Sequence, residues 1–269
     1  MSKDSVSVAS LMFARLWLYQ LFHKLIGGRP TKDMLVWLGS ETTKDALEEY
    51  SRESANIKGF AEMCGSFADD IDDHKLDAAM SEHNRMFANL GRPGLITWES
   101  ASTSPDESLF GDAAILIREL YQKWGWRAVR KGSVPEDSLA MMLGFCSILA
   151  HADLDDLLAG NNERLPSRLA DEALINEGHM LNWIPDEVER AFPSKETFYG
   201  KTLGALVAFL RIDAVFVRNV LVWLRESGSH EVSFDDEALS ARFSYLGEQF
   251  GELAELKVPF LEDMELVSI

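Results

Sequence analysis

Cysteine is nearly absent from the 269 residues: only Cys64 and Cys146 occur, far apart and in no CxxC pair. That spacing excludes a disulfide framework and a cysteine zinc site, and the apolar neighbours of both predict buried free thiols in a reducing cytoplasm. Basic residues are also short. Lys and Arg total 26 against 44 Asp and Glu, a formal net charge of −18, so the basic stripe that nucleic acid requires is missing. A basic peptide or an arginine-bearing protein segment suits such a field. Long uncharged apolar runs are missing as well. The most apolar stretch, Phe198 to Leu224, is interrupted by Lys201, Arg211, Asp213 and Arg218, too often for the roughly 18 apolar residues a membrane span needs. It is expected as a core helix, with no membrane insertion. The N-terminal apolar region is broken by Arg15 and has no small-residue cleavage site, so it is expected as a first helix and not a signal peptide. Finally, GxSxG, GxxxxGK[ST], GxGxxG after a strand, and HExxH are all absent, so no enzymatic activity and no cofactor are expected.

What is present is helical periodicity from end to end. Leu11, Leu18, Phe22 and Leu25 form one stripe that Gly27-Gly28 terminates, and Thr31 is a natural N-cap for a helix from Lys32. Further helices are predicted from about His74 to Leu90, Pro105 to Trp124, a new start at Ser133 to Asp137, Leu165 to Glu177, Met180 to Ala191, Lys195 to Arg225 and Asp235 to Leu253. Only Leu95–Trp98 and Glu231–Phe234 look extended, and nothing alternates long enough for a sheet. The expected fold is all-α, one helical domain of about ten to twelve helices. Its halves, 1–132 and 133–269, are expected to meet at a hinge near 125–133, where Gly125 and a basic run separate two well-marked helices.

Two acidic groups invite a metal reading. His151, Asp153, Asp155 and Asp156 are expected at a helix junction, capping amides, and Asp69, Asp70, Asp72 and Asp73 lack EF-hand spacing and are expected as a solvated loop. No metal is predicted. His23, His74, His83 and His230 are expected on polar faces.

Above this background stands a set of segments in a fixed order. Met86-Phe87 ends one helix, Trp98-Glu99-Ser100 lies in the next loop, Leu109-Phe110-Gly111-Asp112 follows, Pro135-Glu136-Asp137-Ser138 opens another helix with Met142 behind it, and His179 to Trp183 precedes Phe198-Tyr199. This order resembles the TorD/DmsD family of redox-enzyme maturation chaperones. The run from Thr97 to Trp126 is similar to the family's W-x-S-V-aromatic loop, and VPEDSLAMMLGF to its E-P-x-D-H signature helix. His179 to Trp183 followed by Phe198-Tyr199 is similar to its H-L-x-x-W and F-Y-x-x-L pair. Ser138 stands where the signature has histidine, Val134 where it has glutamate, and Ala101 and Ser102 where the loop has an aromatic.

The resemblance implies an all-α cytoplasmic chaperone that binds the arginine-containing leader peptide, or the apo form, of a molybdopterin-dependent oxidoreductase of anaerobic respiration until its cofactor is inserted. It also implies a monomer or homodimer and a peptide site among Met86, Phe87, Trp98, Glu99, Phe110, Pro135, Glu136, Asp137, Ser138, Met142, His179 and Trp183. Physical chemistry offers a rationale: a guanidinium pair beside an apolar stretch calls for carboxylates next to aromatics and methionine. Each residue has a structural alternative. Pro135, Glu136 and Asp137 suit a helix's first turn, Trp98 can plug the core, Met86 and Phe87 can be core residues, and His179 with Trp183 can pack between helices. Two other classes remain open: an adaptor of the same fold that has lost peptide binding, and a small-nucleotide hydrolase using the aspartates near His151.

Overall fold

The computed structural model describes residues 3–69, 71–87, 94–103, 111–130, 132–192, 194, 196–227 and 237–269. Among them are twelve α-helices: α1 (Lys3–Gly27), α2 (Lys32–Leu38), α3 (Glu41–Ser51), α4 (Ala55–Asp69), α5 (Asp73–Phe87), α6 (Glu99–Thr103), α7 (Asp112–Lys123), α8 (Leu139–Leu158), α9 (Leu165–Ala173), α10 (Ile184–Ala191), α11 (Phe198–Ser227) and α12 (Glu237–Glu255). A π-helical stretch, Leu174–Met180, follows α9. The fold is all-α, as expected.

The core forms where α1 lies along α8 and α11 packs on α4. Rings from distant stretches meet there: Tyr19 and Tyr50 stand edge-on to Phe209 at 4.9 and 5.3 Å, and Phe22 stacks on Phe60 at 5.7 Å. The close approach of α1 and α8 depends on Gly144, because a Cβ there would lie 2.9 Å from the His23 ring. His23 is buried and its Nδ1–H donates to the Ala140 carbonyl at 2.8 Å. Burial lowers its pKa to about 4, which keeps the ring neutral. His23 and His83 are therefore core residues, contrary to the polar-face expectation, because the faces of α1 and α5 that carry them turn inward.

Arg15, the charge that interrupts the first apolar stripe, is completely buried. Its guanidinium donates to Asp213 on α11 at 2.9 Å and to Glu172 on α9, and Tyr19 Oη–H donates to Asp213 at 2.6 Å. Arg15 thus joins three helices, a buried pairing in which loss of one partner typically costs about 3 to 5 kcal/mol. Asp153 and Asp156 lie in the last turns of α8 and not at a helix junction, and both accept from Arg168 on α9. Their capping role is corrected: they tie α8 to α9. Burial raises the Asp153 pKa to about 6.

Cys64 and Cys146 are buried free thiols, and burial raises both pKa values. Thr31 caps α2, its Oγ1 accepting from the Met34 N–H at 3.2 Å. The helix expected to open at Ser133 to Asp137 opens later. Ser138 is its N-cap, accepting from the Met141 N–H at 3.3 Å, so Pro135-Glu136-Asp137 precedes the helix instead of forming its first turn. The hinge stretch 125–133 holds a strand that the periodicity missed, β1 (Trp126–Ala128), paired antiparallel with β2 (Leu266–Ser268). Three-residue strands are too short to alternate visibly. The extended piece expected at Glu231–Phe234 and the helix start at Pro105 lie outside the described residues.

Candidate functional site

The site grows from one strand-like contact. Trp98 and Ser138 form a single antiparallel bridge. The Leu139 N–H donates to the Thr97 carbonyl at 2.7 Å and the Glu99 N–H to the Asp137 carbonyl at 3.2 Å. The loop before α6 is thereby laid against the start of α8. Other elements hold it from the sides. The Leu95 N–H donates to the Met86 carbonyl at 3.2 Å, and Glu187 on α10 accepts from the Ile96 N–H at 3.4 Å and the Ser102 hydroxyl at 3.3 Å.

Polar groups lock this junction from within. Asp137 is completely buried, and its Oδ2 accepts from the Ser100 N–H at 2.7 Å and the Ser100 hydroxyl at 2.5 Å. Ser100 Oγ in turn accepts from the Gly111 N–H at 3.2 Å, at the N-cap of α7. Glu136 takes both Nε–H and Nη2–H of Arg118 at 2.9 Å, a bidentate fork, and its carbonyl accepts from Tyr121 Oη–H at 2.9 Å. Glu99 and His179 are buried and paired at 2.8 Å. The carboxylates of the signature segment are thus enclosed inside the protein, Glu136 engaged through both oxygens and Asp137 through Oδ2, while the buried Asp137 Oδ1 has no partner among the described residues. Glu136 and Asp137 serve to build the junction, and neither is open to an incoming guanidinium in this conformation.

Beside the junction lies a pocket of about 270 Å³. Of the residues singled out in the sequence, Phe87, Trp98 and Ser138 line it. Phe87 is half-buried, stacked on His83 at 5.1 Å and edge-on to Tyr199 at 4.9 Å. Met86, Met142 and Trp183 are buried in the core, Pro135 is buried in the junction, and Phe110 lies outside the described residues. Sequence reasoning missed His83, together with Ile26 and Gly27 at the end of α1 and Phe260 and Met264 near the C-terminus. No local motif marks them, because α1, α5 and the C-terminal segment, far apart in sequence, create this wall together. His83 Nδ1 is buried with no hydrogen-bond partner among the described residues, as is the indole Nε1 of Trp98. Burial lowers the His83 pKa to about 4, so the ring is neutral. The pocket is therefore aromatic and uncharged.

The family model for the nitrate reductase delta subunit matches residues 53–189, just over half of the chain and the whole bridge between Trp98 and Ser138. Two curated sequences named Chaperone protein TorD, from Vibrio vulnificus strains YJ016 and CMCP6, are each 26% identical over 205 residues, covering 67% of this chain and 91% of theirs. No solved structure matches the chain. No helix among the described residues is long and apolar enough to cross a membrane. The matched span carries the loop and signature segment that build the junction, and the chain belongs to the nitrate reductase delta subunit family, the TorD-type chaperones of molybdoenzyme maturation.

Proposed function

We infer that the protein is a cytoplasmic chaperone that binds the arginine-containing leader peptide, or the apo form, of a molybdopterin-dependent oxidoreductase and releases it once the cofactor is in place. The observation that carries this reading is the uncharged aromatic pocket beside the Trp98–Ser138 bridge, set in a molecule of net charge −18. A leader with basic residues beside an apolar stretch complements both features: the field draws in the arginines, and the pocket accepts an apolar side chain. Phe87 and Trp98 are the aromatic anchors in this reading. Glu99, Glu136, Asp137 and His179 hold the anchors in place through the bonds described above.

The test is a pull-down from cells under anaerobic growth, read by mass spectrometry, followed by calorimetry with the leader peptide of the captured enzyme at low and high salt. Recovery of a molybdopterin oxidoreductase, with leader affinity that falls as salt rises, supports the reading. Failure to bind any arginine-containing leader favours the adaptor instead.

A further inference from the structure

With Glu136 and Asp137 engaged internally, the carboxylate that meets an arginine must come from elsewhere around the pocket. The C-terminal segment 256–269, which gives Phe260 and Met264 to the pocket, carries exposed acid. It is held at several points: the Arg29 N–H donates to the Pro259 carbonyl at 2.9 Å, Lys24 Nζ to the Leu256 carbonyl at 3.0 Å, and Arg130 pairs with Asp263 at 2.9 Å. Strand β2 completes the attachment. Val258 and Leu261 press so closely on Gly28 and Gly27 that a Cβ at either glycine would come within 2.3 Å of them.

Between these ties sits Phe260, with φ at 73°. It is the only non-glycine residue at positive φ among the described residues. For a bulky side chain this is a costly conformation. The ring is nevertheless 61% exposed while it lines the mouth of the pocket, so its own packing does not compensate for the strain. Two residues on, Glu262 is exposed and makes no ion pair among the described residues, and Met264 lines the pocket again. A second observation belongs to the same pocket: His83, one of its lining residues, is buried and has an Nδ1 with no partner among the described residues. Phe260, Glu262 and Met264 all lie outside the span that matches the family, so this wall is not part of what the family match accounts for.

We propose that the C-terminal segment is the peptide-reading wall of the site, with Phe260 closing over an apolar side chain of the leader and Glu262 receiving a neighbouring arginine. The strained, exposed ring is held in advance where a bound peptide covers it, which limits the ordering needed on binding. The proposal rests on the chaperone reading above and adds to it the residues that set client specificity.

The experiment uses the full chain and a synthetic peptide carrying an arginine pair followed by a leucine–alanine run, with a second peptide in which glutamines replace the arginines. Phe260→Gly and Phe260→Ala should both lose about tenfold in affinity, as expected of an aromatic anchor. Phe260→Gly should melt above Phe260→Ala, because both lack the ring and only glycine is at ease at this φ. Glu262→Gln should weaken binding of the arginine peptide by about threefold or more at low salt. It should leave the glutamine peptide unaffected, and Glu248→Gln, an equal change of net charge on exposed α12, should alter neither. If Phe260→Gly binds as wild type does, or if Glu248→Gln weakens binding as much as Glu262→Gln, the wall has no such role and the chaperone reading survives. If wild-type protein binds neither peptide, the leader-binding reading fails, and the inference fails with it.

Discussion

Asp137→Ala separates a carboxylate that builds the site from one that touches the client. Asp137 Oδ2 accepts two hydrogen bonds from Ser100, at 2.7 and 2.5 Å, in a completely buried setting. Hydrogen bonds to a charged group contribute about 1.5 to 3 kcal/mol each, and two that share one acceptor are not additive. Removal also leaves the Ser100 N–H unsatisfied and frees the hydroxyl that holds the start of α7. The expected loss is about 3 kcal/mol, a large part of the 5 to 15 kcal/mol that stabilises a typical domain. For a chain of this size that corresponds to a fall of roughly 6 to 12 °C in Tm. Asp137→Asn keeps an acceptor oxygen for the Ser100 N–H and should lose only about 1 kcal/mol. Thermal melts by circular dichroism, paired with leader titrations at a temperature where each variant is folded, decide the matter. If Asp137→Ala melts within about 1 kcal/mol of wild type yet no longer binds the leader, Asp137 contacts the client directly and the structural role assigned to it here is refuted.

Trp98 is only half-buried and lines the pocket, so Trp98→Ala should lower leader affinity about tenfold while costing less than the 3 to 5 kcal/mol of a fully buried tryptophan; melts and titrations on one preparation test both halves. Gly144→Ala should destabilise by about 1 to 3 kcal/mol, because its Cβ would meet the His23 ring at 2.9 Å, and denaturant unfolding measures this. His23 predicts a pH effect of definite sign. Its folded-state pKa of about 4 lies below the ordinary value of 6.5, so the unfolded chain binds the proton first; stability is full above about pH 6.5 and falls toward pH 4, by roughly 2 kcal/mol at pH 5. Asp153, raised to about 6, acts in the opposite sense over an overlapping window, because there the folded state binds the proton first. The effect is therefore read as a difference: the stability gap between wild type and His23→Gln should shrink as pH falls from about 7 to 5, and a gap independent of pH would contradict the burial of a neutral ring.

The helical architecture was legible because apolar residues at helical spacing, capping residues such as Thr31 and turn glycines all act locally. The order of the motif segments was legible too, and it led to the family. Less visible was what the motif carboxylates do. Glu136 and Asp137 have the chemistry of an arginine receptor, and only the approach of Arg118 and Ser100 shows that both are already paired. Arg15 looked like an interruption of an apolar stripe, whereas Glu172 and Asp213, more than 150 positions away, make it a buried tie. The pocket itself was hidden for the same reason. Ile26, Gly27, Phe260 and Met264 come from opposite ends of the chain, and long-range packing, not any spacing within a segment, brings them to Trp98.

On the proposed function, an acidic molecule with an aromatic pocket captures an arginine-bearing leader. The decisive experiment is calorimetric titration of wild-type protein, at low and at high ionic strength, with the leader of whichever molybdopterin oxidoreductase the pull-down recovers. Binding should saturate at one site, weaken as salt rises and be lost when alanine replaces both Trp98 and Phe260. Binding that ignores both salt and these two rings, or no binding at all, would contradict it.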